Sequence, residues 1–342
     1  MSKNKTLLDH HIEEYSDSSE DEDPEDLDDI LETLEVQELE DDLANEVDEP
    51  YQDDQNDNHG WTEYCGRHKQ FVFSGPQGLK IDLDENSTPL DIFSLIVDDE
   101  IISHIVTETN KYAQQKIRSS QKTKGSRINQ WTATNNDEIK KFLGLTMWMG
   151  LVRLSTLSDY GSTRSIYNLA VPRALMSRNR YQLLLSMVHF NDNKTIVPGK
   201  RLGKIKPLVD ILKRKFQNLF CPGEFIVIDE TLVPWRGRLI FRQYIPNKAH
   251  RYGIKLFKLC SVDGYTWDLK IYSGKSASGE RETGLAKNVC MELLHNLLDQ
   301  GRTLYVDNFY RSYELAKALL SRKTHVVGTV RSSKKDLPKE VF

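Results

Sequence analysis

The chain has 342 residues, 28% charged and 38% hydrophobic, and its 46 Lys+Arg against 51 Asp+Glu leave a formal charge of −5. No stretch approaches the ~18 consecutive apolar residues of a membrane helix, and no basic-then-apolar start marks a secretory signal. Four scattered cysteines (Cys65, Cys221, Cys260, Cys290) argue against a disulfide-rich secreted fold.

The small net charge conceals a division. Residues 1–57 hold 24 acids and 2 bases, whereas 58–342 hold 27 acids and 44 bases. Charge repulsion at that density, with little apolar surface to offset ordering entropy, predicts a disordered acidic tail over 1–57. Within it Leu27, Ile30, Leu31 and Leu34 fall on one helical face. Three roles stay open: a solvating tail, a short helix that folds on a protein partner, or a strap over the basic body that competes with a polyanion. Residues 58–87 read as a linker.

From residue 88 helical patterns follow one another. Thr88 caps a segment with Pro89 and Asp91 in its first turn, and a second run from Asp98 to about Tyr112 carries Ile101, Ile102, Ile105 and Val106. Residues 118–127 form a basic connection. Helices are then expected over 137–152, 177–190 and 208–220. Met147, Trp148 and Met149 read as core, and Arg178, Arg180, Lys213, Arg214 and Lys215 as solvated helix faces. The positive surplus nevertheless favours a polyanionic partner. This block, 88–222, is expected to be a helical domain.

At residue 225 the period changes. Residues 225–229 are a continuous apolar run ending in Asp229, as a buried central strand reads. Residues 252–260 and 266–274 flank Asp263-Gly264, a strong hairpin signal. An amphipathic helix over 282–300 precedes a second apolar strand, 303–307, ending in Asp307. Ser312 then caps a helix, 313–322, and a strand follows at 324–330. Strands and helices in this order predict an α/β fold with a mixed sheet over 223–342.

Two patterns carry chemistry. If the strands ending in Asp229 and Asp307 lie side by side, their carboxylates share one site. Hard oxygen ligands suit Mg²⁺ or Mn²⁺, and two such ions about 3.5–4 Å apart would stabilise both oxygens of an in-line displacement at phosphorus. Alternatively the two acids cap turns or pair with arginines. Between them Arg236, Arg238, Arg242, Lys248, Arg251 and Lys255 interleave with Trp235, Phe241, Tyr244 and Tyr252. Cations neutralise phosphates and aromatic rings stack on bases, although a twisted hairpin with a basic solvent face would look the same. No Walker A, HExxH, GxSxG or GxGxxG pattern is found, and His59 and His68 near Cys65 do not make a recognisable zinc set.

The blocks TNKYA (109–113), DEIKKFLGL (137–145), MSRNRYQLLL (176–185), VHFNDN (188–193), IDETLVPWRGR (228–238), FRQYIPNKAHRYGIK (241–255), VDNFYRS (306–312) and VGTVRSSKK (327–335) resemble, in order, the piggyBac transposase family and its transposable element-derived members. The resemblance implies an RNase H-like catalytic domain with three metal-binding aspartates, a helical domain for dimerisation and DNA binding (88–222), and a nuclear location. Asp229 matches the first aspartate and Asp307 the second, with Mg²⁺ or Mn²⁺ as the implied cofactor. Arg331 and Lys334 match basic positions that handle DNA. The implied reaction is metal-dependent strand cleavage and joining at TTAA targets. The chain carries neither a match to the third aspartate nor a cysteine-rich zinc domain, so residues 223–342 are expected to be a partial, C-terminally truncated catalytic domain with an incomplete site. A non-catalytic DNA- or chromatin-binding protein is the alternative. Gly161 stands where related chains carry an aromatic, which is expected to loosen local packing.

Overall fold

The computed structural model describes residues 70–119, 126–246, 249–274 and 283–329. The expected acidic tail and the first part of the expected linker lie outside the described residues, as do Lys248, Arg331 and Lys334. The described chain divides into two compact units. One is Asn86–Leu212, and the other joins residues 70–85 to 213–329.

The described elements of the first unit are helices and short 3₁₀ turns. Helix α1 (Pro89–Ile96) begins on a capping box: Thr88 Oγ1 accepts from the Asp91 amide, and Asp91 Oδ2 accepts from the Thr88 amide at 2.8 Å. Helix α2 (Asp99–Ser119) runs about two turns beyond the expected end. Helix α3 (Asn136–Leu151) starts from Asn135, whose side chain accepts from the Glu138 amide. Helices α4 (Ala170–Leu175) and α5 (Arg178–Met187) follow, the latter capped by Ser177. Ile101, Ile102 and Ile105 pack with Ile139, Phe142, Leu145, Tyr181 and Leu184 to form the core.

Three expectations for this unit change. Arg180 is no solvated charge: Nε and Nη2 meet the two Glu138 carboxylate oxygens at 2.7 and 2.6 Å, and the guanidinium lies over the Trp131 ring. Met147 is 53% exposed rather than core. Gly161 does not loosen packing, because a Cβ there would come within 2.5 Å of Arg178 Cβ.

The chain leaves the first unit within helix α6 (Lys206–Leu219). In the second unit, β1 (Gly78–Leu79) pairs antiparallel with β2 (Phe220–Cys221). The main sheet is built on β3 (Phe225–Pro234), β4 (Gln243–Tyr244), β5 (Tyr252–Ser261), β6 (Thr266–Ile271), β7 (Thr303–Val306) and β8 (His325–Val327). Its order is β4-β5-β3-β7-β8, with β6 also on β5. The sheet is mixed: β3, β4 and β6 pair antiparallel with β5, whereas β7 pairs parallel with both β3 and β8. The β5–β6 hairpin turns where Asp263-Gly264 predicted, with Gly264 at φ +88°.

Helices α7 (Leu285–Leu293) and α8 (Tyr313–Ser321) bury Val289, Cys290, Leu293, Leu315 and Leu319 against Ile226, Ile228, Phe257, Leu259, Leu304 and Val306. Helix α7 is shorter than the expected 282–300, yet the turns after it still bury Leu294, Leu297 and Leu298.

Residues 70–85, read as linker from sequence, belong to this unit. The Phe71 amide donates to His325 Nε2, the Ser74 amide donates to the Gln300 carbonyl, and β1 adds to β2. Lys213, expected to be solvated, pairs with the buried Asp268 at 3.0 Å. No helix among the described residues is long and apolar enough to cross a membrane.

Candidate metal centre and nucleic-acid surface

Strand β3 lies between β5 and β7, and this central place explains its apolar start. Its parallel register with β7 runs from Phe225↔Thr303 to Ile228↔Val306. Asp229 and Asp307 each stand one residue past that last pair. Neighbouring strands are about 4.8 Å apart, so the two acids occupy adjoining positions, and both are exposed. One detail differs from expectation. Asp307 follows the end of β7, but Asp229 lies inside β3, which continues to Pro234 because β5 supplies hydrogen-bond partners as far as Pro234↔Gly253.

One oxygen of each carboxylate is held locally. Asp229 Oδ1 accepts from the Glu230 amide at 2.8 Å, and Asp307 Oδ1 accepts from the Phe309 amide at 2.9 Å. The second oxygen of each takes no hydrogen bond among the described residues. Two such carboxylates fit a single Mg²⁺ or Mn²⁺ that keeps several waters, the usual manner in which Mg²⁺ is held. Among the described residues no set of three or more His, Cys, Asp or Glu converges as a metal site. Asp229 and Asp307 are the two carboxylates that the described residues bring to adjoining positions at this edge.

Beneath Asp229 lies a buried network that sequence reasoning missed. Glu230 points to the opposite side of β3, where Tyr310 donates its hydroxyl to Oε2 at 2.9 Å. Lys255 Nζ stands 3.8 Å from Glu230 Oε1 and lies over the rings of Phe257 and Phe309. Both side chains are only 17% exposed. Burial and the Glu230 charge push the Tyr310 phenol well above its ordinary value, so it remains a donor. The network ties β3 to the turn between Asp307 and Ser312. The only sequence signal was the pairing of a carboxylate after Asp229 with an aromatic shortly after Asp307.

The basic ribbon divides on inspection. Arg236, Arg238 and Arg251 are exposed, as are Trp235 at 44% and Tyr252 at 37%. Arg242 is half-buried, its guanidinium 4.8 Å from the Tyr252 ring centre and bonded to the Arg236 carbonyl. Tyr244 packs on Tyr252, while Phe241 is core. Lys255, expected on this surface, is instead committed to Glu230 between two rings.

The second unit is an α/β fold on a mixed sheet, with two acids at adjoining strand positions. Residues 88–341 match the family model described as Transposase IS4, and the chain belongs to this family, in its piggyBac branch. The human PiggyBac transposable element-derived protein 3 is 28% identical over 249 residues, covering 71% of this chain and 40% of that protein. The human PiggyBac transposable element-derived protein 5 is 22% identical over 306 residues, covering 86% of this chain and 56% of its own length. A cryo-EM structure of a piggyBac transposase synaptic complex with hairpin DNA superposes with a TM-score of 0.63 at 30% identity, over 78% of this chain and 56% of that one. The chain thus spans about half the length of these relatives or less.

Proposed function

We propose that this chain is a transposase-derived DNA-binding protein in which Asp229 and Asp307 hold one hydrated Mg²⁺ or Mn²⁺ at the phosphodiester backbone. What supports this reading is the β3–β7 register, whose last pair, Ile228↔Val306, is followed by one acid on each strand. An ion held there supplies Lewis-acid polarisation of a phosphoryl oxygen and a bound water of lowered pKa. The chain's own residues do the rest. Glu230, Tyr310 and Lys255 tie β3 to the turn after Asp307, Arg236, Arg238 and Arg251 neutralise phosphates, and Trp235 and Tyr252 offer stacking faces.

The activity from which this site descends is RNase H-type strand cleavage and joining at TTAA sites. On this reading these 342 residues bind DNA with little strand transfer. The second reading is a domesticated non-catalytic DNA or chromatin protein. On either reading the partners are DNA and a second copy of the chain, and the place of action is the nucleus. On this reading Lys248, Arg331 and Lys334, which lie outside the described residues, also bind DNA, and the acidic residues 1–57 compete with DNA.

One titration tests the reading: anisotropy of a labelled TTAA-flanked duplex against KCl in Mg²⁺, followed by gel analysis of the same samples. Affinity is expected to fall steeply with salt. Replacing Arg236, Arg238 and Arg251 together with alanine should reduce the log–log slope by roughly 3, with little cleaved product. Salt-independent or absent binding would overturn the DNA-binding reading, and robust Asp229-dependent excision would overturn the non-catalytic one.

A further inference from the structure

Lys258 stands across the antiparallel β3–β5 register from Asp229. Lys258, Asp229 and Asp307 therefore occupy successive positions across three adjoining chain segments. Facing residues in an antiparallel pair have Cβ atoms about 5 Å apart, a gap that a lysine stem spans. Nearby lysines of the sheet are committed, Lys255 to Glu230 and Lys270 to Glu292. Lys258 is half-buried and, among the described residues, makes no ion pair.

A lysine with no ion pair, at a strand position facing two carboxylates, has opposite effects on two ligands. It repels a divalent cation approaching the acids, and it attracts a phosphate that arrives with that cation. We infer that Lys258 is a phosphate-binding residue of this site, which takes a non-bridging oxygen of the phosphodiester laid over Asp229 and Asp307. Without nucleic acid it weakens the pair's hold on divalent ions. Metal and DNA then bind with positive coupling, since each relieves the charge that opposes the other. This rests on the proposed reading of Asp229 and Asp307 as the cation site.

The test uses the full 342-residue chain and its K258Q, K258R and D229N variants. Free Mn²⁺ is followed by electron paramagnetic resonance without DNA, and duplex binding in Mg²⁺ by anisotropy across a KCl series. K258Q is expected to bind Mn²⁺ a few-fold tighter, to bind duplex a few-fold more weakly, and to lower the salt slope by about 1. K258R should restore the slope. Misfolding would weaken both ligands, so the opposite signs separate it from the proposed role. K258Q behaving like the parent chain for both ligands, while D229N loses Mn²⁺, would overturn the role of Lys258 alone. D229N binding Mn²⁺ like the parent chain would overturn the underlying reading of the acid pair, and this inference with it.

Discussion

Cys290 and Tyr310 are both buried in the core that holds Ile228 and Val306, and both keep protons at a pH where the unfolded chain would lose them. Burial first, and the Asp307 charge second, push the Cys290 thiol from 9.0 up to about 12. Burial, then the Glu230 charge and hydrogen bond, raise the Tyr310 phenol from 10.0. A folded state that binds more protons than the unfolded chain loses stability as pH rises. The contribution is fully present below pH 9 and declines above it, first through Cys290 and then through Tyr310. Thermal melts should therefore be flat in this respect from pH 7 to 8.5 and fall beyond pH 9. Cys290→Ala should flatten the decline that begins near pH 9, and Tyr310→Phe the part that begins near pH 10. Melting temperatures unchanged to pH 11, or variants that keep the parent slope, would contradict this account.

At the scale of elements, Arg302 shows how distant segments are joined. Its side chain is fully buried just before β7. The guanidinium donates to the carbonyls of Pro222 (2.7 Å), Gly223 (2.6 Å) and Pro76 (3.0 Å) and to Gln300 Oε1, and it lies over the Phe73 ring. Its cationic charge is thus balanced chiefly by carbonyl dipoles drawn from three parts of the chain. Arg302→Ala leaves those carbonyls unsatisfied and should cost about 3 kcal/mol or more in urea unfolding. Arg302→Lys should recover only part, since an ammonium lacks the planar fork. A loss under 1 kcal/mol for the alanine variant would show that the 70–79 segment is held by other means.

This arrangement also marks where sequence reading stops. Thr88, Ser312 and Asp263-Gly264 act within a few residues of themselves, so these two caps and the hairpin were legible. Residues 70–85 looked like linker because their partners, Arg302 and His325, lie more than 200 positions away. Asp229 looked like a strand tip because nothing local shows that β5 extends β3 to Pro234. Lys255 looked like a surface cation because its commitment to Glu230 depends on the fold.

At the scale of the whole molecule, 24 acids and 2 bases in residues 1–57 stand against 44 bases and 27 acids in the remainder, and the body belongs to a transposase family. On the proposed reading the partner is DNA, and two acids 78 positions apart in the chain, Asp229 and Asp307, share one divalent ion. Anomalous diffraction from a crystal of this chain soaked in Mn²⁺ tests it most directly. We predict one strong peak ligated by both carboxylates, absent from the Asp229→Asn variant. A manganese ion bound elsewhere, or a peak that survives loss of Asp229, would contradict the account.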